Sequence, residues 1–66
     1  MKTNYFTSTA NYLQAEQAVK HVIAQRDEFI KLNMGKIKDI ASEDIKAERI
    51  DGNMVLGILR LSYYPV

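Results

Sequence analysis

Sixty-six residues make a single domain, 1–66, and a chain this short buries only about 60% of its unfolded surface. Cysteine is absent and His21 is the one histidine, which excludes disulfides and a cysteine-based zinc site. Nine basic against eight acidic residues argue against a general phosphate-binding surface, and 47% hydrophobic residues exclude a disordered chain.

Lys2 to Ser8 reads as a short strand, because Thr3, Tyr5, Phe6 and Thr7 are the β-branched and aromatic types that suit a pleated surface. From Tyr12 to Lys31 the apolar residues Tyr12, Ala15, Val19, Val22, Ile23, Phe29 and Ile30 recur at three-and-four spacing, which predicts an amphipathic helix. Asn11 is placed to cap it, with Gln14 closing a capping box. Glu16–Lys20 and Asp27–Lys31 are acid-then-base pairs four apart, and Asn33 and Gly35 are left-handed residues that stop the helix.

After Gly35 the period changes. Lys36–Ala41 and Asp44–Ile50 read as strand, and Asp51–Gly52 predicts a two-residue type I′ hairpin turn into a last strand from Asn53 to Tyr64. That turn opposes Ile50 to Asn53, Ala47 to Leu56, Ile45 to Ile58 and Glu43 to Arg60. A competing helical reading exists, since Ile37, Ile40, Ala41 and Ile45 also fit helical spacing and Ser42-Glu43-Asp44 resembles a helix start. A bulge near Ala41 or Ser42 would bring Ile37 and Ile40 onto one face of a strand. The expected fold class is α+β: a three-stranded, mostly antiparallel sheet in the order β-α-β-β, with one helix on one face.

Few residues carry chemistry. His21 falls on the polar side of the helix with no orienting partner, as an ordinary exposed histidine does. Arg26 sits inside the apolar arc; its stem either packs while its head reaches solvent, or it makes a buried or interfacial pair with Glu43, Asp44 or Glu48 or contacts an anion. Arg60, Tyr63 and Tyr64 combine a guanidinium with two aromatics, a pairing found in interface hot spots and on single-stranded nucleic-acid platforms as well as in ordinary strands. The acidic residues lack the spacing of a calcium loop, the glycines form no phosphate loop, and the nucleophile–base and paired-carboxylate sets of enzymes are missing. No catalytic residue, metal ligand or cofactor is therefore expected.

The N-terminus leads into no apolar signal segment, and the longest apolar run, Met54–Leu59, is far short of the roughly 18 residues of a membrane span. Together with the lack of cysteine, this predicts a soluble cytoplasmic protein.

The order strand, long helix, two strands resembles the dodecins, small flavin-binding proteins that assemble as dodecamers. The matching stretches are Ile37-Lys38-Asp39-Ile40, entering the second strand, and Val55-Leu56-Gly57-Ile58-Leu59-Arg60-Leu61 in the third. Dodecins stack flavin on a tryptophan just before the second strand, where this chain has Asn33-Met34. The pattern is also similar to that of very small sporulation-associated and phage-borne proteins of Gram-positive bacteria. These resemblances imply either a bacterial or phage regulator, inhibitor or adaptor, or an oligomer that binds a small ligand.

The last strand points to self-association. Met54, Leu56 and Ile58 on one face and Val55, Leu59, Leu61 and Tyr63 on the other are all apolar, whereas one helix shields one face. A dimer or larger ring is expected, with Arg26, Val55, Leu59, Arg60, Leu61, Tyr63 and Tyr64 as the interaction residues. The partner is the chain itself or a larger protein; nucleic acid bound through Arg60, Tyr63 and Tyr64 is the third reading.

Overall fold

The computed structural model describes residues 1–66. Strand β1 (Lys2–Asn11) leads through a short 3-10 turn into helix α1 (Ala15–Leu32), followed by strands β2 (Ile37–Arg49) and β3 (Met54–Pro65). The sheet order is β1-β3-β2, with β3 antiparallel to both neighbours. β1 and β2 therefore run in the same direction on either side of β3, and α1 is the crossover between them, a split β-α-β unit with a hairpin closing it. The α+β, β-α-β-β expectation holds, and residues 42–49 are strand, not helix.

The helix begins only in part as expected and ends differently. The Asn11 side chain accepts from the Leu13 N–H at 3.0 Å, while Gln14 makes no capping bond and the 3-10 turn delays the α-helix to Ala15. At the other end no residue has positive φ. Instead Asn33 folds back: its backbone N–H donates to the Phe29 and Ile30 carbonyls and its side-chain amide donates to Phe29 at 2.8 Å. The helix ends on Asn33, whose side chain adds a second bond to the Phe29 carbonyl, and not on a left-handed residue. Asp27 pairs with Arg26 rather than Lys31, and no Glu16–Lys20 pair forms.

α1 lies over β1 and β3. Its stripe centres on Ala18 and Val22, both fully buried, flanked by Ile23, Phe29 and Ile30. Phe6, Leu59 and Leu61 complete the core from the sheet, and Phe29 links Phe6 and Tyr63 with ring centroids at 5.5 and 5.7 Å. At Gly57 the helix comes so close that a Cβ there would lie 3.0 Å from the Ala18 backbone carbon and oxygen. Glycine suits this crossing because even a methyl group would press on the helix main chain, which would have to give by a few tenths of an ångström.

The β2–β3 connection departs from the two-residue turn. Arg49 opposes Val55, Ala47 opposes Gly57, Ile45 opposes Leu59 and Glu43 opposes Leu61. Each partner is one residue further along than the Asp51–Gly52 turn implies, so every side chain of β2 faces the other row of β3. The cause is Asp51: its carboxylate accepts from the Asn53 and Met54 N–H groups at 2.8 and 3.0 Å, and Ile50 N–H bonds to the Met54 carbonyl. This side-chain-closed turn needs no positive φ, and Gly52 has none. The expected bulge is present. The register shifts between Ile40 and Ser42, and again between Ile37 and Asp39, so Ile37 and Ile40 oppose Pro65 and Tyr63 on the helix side.

Candidate functional site

The two faces of the sheet differ in kind. On the helix side β1 and β3 contribute Phe6, Val55, Gly57, Leu59 and Leu61, all buried beneath α1. Val55, Leu59 and Leu61, expected on an interaction surface, are core residues of the single chain, with Leu59 and Leu61 fully buried. The helix does not reach across β2. Every residue of that strand is exposed except the half-buried Ile37. Ile40 and Ile45 stand on the helix side and are 39% and 40% exposed, and Ile50 follows at 52%.

One side chain bridges the gap. Arg26, half-buried in the helix stripe, donates from a terminal guanidinium nitrogen to the Glu43 carboxylate on β2 and from Nε to Asp27 at 2.7 Å. The arginine is thus paired, as one of the two sequence readings has it, and the pair lies within the chain. It is the one side-chain hydrogen bond between the helix and β2.

The helix-free face is mixed. Thr3, Tyr5, Thr7 and Thr9 of β1 oppose Ser62, Arg60, Ile58 and Leu56 of β3. Ser62 is buried and its hydroxyl meets that of Thr3 at 3.0 Å. Arg60 faces Asp44 across β2 at 4.0 Å, and Tyr64 belongs to the same row while Tyr63 points to the helix side. The Arg60–Tyr63–Tyr64 group is therefore divided between two faces by strand alternation. Lys46 binds Glu48 at 2.9 Å, and this hydrogen bond, with the charges of Glu48 and Asp44, raises the lysine pKa above its ordinary value. A shallow cleft of about 200 Å³ lies among Tyr5, Asp44, Lys46, Ile58 and Arg60.

His21 is exposed, with Nδ1 3.2 Å from the Ser8 hydroxyl. No carboxylate bonds to the other ring nitrogen, so the pair lacks the orienting group that makes a histidine a catalytic base. A second, larger cavity of about 540 Å³ opens beyond the helix C-terminus, bounded by Lys2, Asn33, Lys36 and Tyr63. Arg49 stacks over Tyr12 with its guanidinium carbon 3.9 Å from the ring centroid and donates to the Gly52 carbonyl. Tyr12, expected in the buried stripe of the helix, lies in the 3-10 turn and is half exposed, and its contact with Arg49 is not legible in the sequence, because their approach depends on how the β2–β3 turn folds against the start of the helix. No helix is long and apolar enough to cross a membrane.

A scan of protein-family models, a search of curated proteins and a search of solved structures each return no match to this chain.

Proposed function

We propose that this chain is a small non-enzymatic interaction protein, a regulator, inhibitor or adaptor, that works as a homo-oligomer and associates through β2. The observation that carries the reading is the bare strand. The helix covers two strands of three, so Ile40 and Ile45 lie on the core side of the sheet without a core above them. Only 8 of 66 residues are buried, a core small enough that a second subunit would add substantially to stability.

Charge favours a protein partner over nucleic acid. The helix-free face around Arg60 and Tyr64 carries Asp39, Asp44 and Glu48 from β2, which outnumber the nearby cations Arg60 and Lys46. A phosphate backbone would meet net repulsion there.

The resemblance to dodecins supports oligomerisation, and it supports a second reading in which a small ligand sits between subunits. Leu32 and Met34 are each 73% exposed at the helix end, next to the cavity bounded by Asn33 and Lys36. Light scattering of the purified protein at micromolar concentration tests the main reading. A mass at least twice 7.6 kDa is expected, and a value of 7.6 kDa would refute it. A ligand absorbance or mass co-purifying with the oligomer selects the second reading.

A further inference from the structure

The edge of β2 is a thirteen-residue strand with no strand beside it, and its outer row of N–H and C=O groups is a template for another strand. The opposite edge is less available, since Gln25 of the helix already donates to the Thr7 carbonyl of β1. No helix side chain bonds a backbone group of β2.

Two-fold symmetry restricts how β2 can pair with itself. An axis perpendicular to the sheet runs the two strands antiparallel and keeps both helices on one side, so facing residues must share a face and one residue must face its own copy. Centring on Glu43, Asp44 or Lys46 sets like charges against each other at the axis. Centring on Ala47 opposes Ile45 to Arg49 and runs past the end of the strand. Centring on Ile45 is different. Ile45 meets its copy on the helix side, Asp44 faces Lys46 twice on the other side, Glu43 faces Ala47, Ser42 faces Glu48, and no like charges meet. This register also uses the regular stretch that lies between the bulge at Ala41 and the strand end at Arg49.

We propose that two copies of this chain join antiparallel through their β2 edges about a two-fold axis at Ile45, forming a continuous six-stranded sheet. The proposal deepens the self-association reading above and rests on it. The pairing leaves the core of each subunit unchanged and brings the Ile45 side chains of the two subunits together in the trough between the two helices.

Single-cysteine variants test the register directly, because the chain has no cysteine of its own. Directly opposed residues have Cα atoms about 4.5–5.5 Å apart, within disulfide reach, whereas Ala47 and its copy would be about 14 Å apart. Mild oxidation should give a disulfide-linked dimer of the Ile45→Cys variant and none of Ala47→Cys. Charge exchange supplies an independent measurement. Asp44→Lys alone and Lys46→Asp alone should each weaken self-association at least tenfold, and a one-to-one mixture of the two variants should restore it as a heterodimer. An oligomeric wild type whose Ile45→Cys variant does not cross-link, or whose mixed variants do not recover, overturns this pairing and leaves self-association standing. A monomeric wild type overturns both.

Discussion

Arg26 occupies a place where the helix pattern calls for an apolar residue, and its pairing explains how it is tolerated. The side chains of Arg26 and Glu43 are 21% and 30% exposed, so the pair is neither solvated like a surface bridge nor sealed like a core one. Arg26→Ala removes both the ion pair and the packed stem and should lower stability by about 1–2 kcal/mol. Arg26→Met keeps the stem and should cost less than half as much. Thermal melts of both variants separate these contributions; equal losses would show that the charge alone matters. Two glycines give a second contrast. Gly57→Ala forces a methyl group against the Ala18 backbone and should cost about 1–3 kcal/mol. Gly52→Ala meets no atom within 4 Å and no positive φ, so its unfolding free energy from urea titration should stay within about 0.5 kcal/mol of wild type.

At the scale of elements, the register of β3 decides which apolar row becomes core. Leu59 is fully buried under the helix, while Ile58 faces the opposite side opposite Thr7 and Lys46. Leu59→Ala should cost about 2–5 kcal/mol, and Ile58→Ala about 1 kcal/mol or less. Denaturant unfolding of the pair checks the register: similar losses would mean that the strand is paired one residue off. The bulge at Ala41 has a matching role on β2. It interrupts alternation once, so Ile40 and Ile45, five residues apart, share a face.

For the molecule as a whole, the dimensions of 42 × 18 × 10 Å describe a long thin slab, with the helix lying along part of one side. Exposed isoleucines on β2 and buried leucines on β3 should therefore respond differently to charge. The double variant Ile40→Lys, Ile45→Lys should stay folded by far-UV circular dichroism yet run as a monomer in light scattering. Leu59→Lys and Leu61→Lys should unfold the chain, because each would place an unpaired ammonium in the core. A folded monomer from Leu59→Lys would overturn this assignment of core and surface.

Much of the architecture is legible in local pattern. The helix declares itself through the spacing of Val19, Val22, Ile23, Phe29 and Ile30, and Asn11 marks its start, since capping is a matter of adjacent atoms. The conflict between Ile37, Ile40 and strand alternation is enough to call for a bulge. Local pattern does not choose the face of β3, because Met54 to Leu59 is apolar on both parities and only the turn sets the register. Asp51 closes that turn through its side chain, a geometry the Asp-Gly dipeptide does not distinguish from type I′. The tight approach at Gly57, the pairing of Arg26 with Glu43, and the bareness of β2 all depend on where one helix comes to rest on a three-stranded sheet. Those are contacts between residues distant in the chain, and tertiary packing alone decided them.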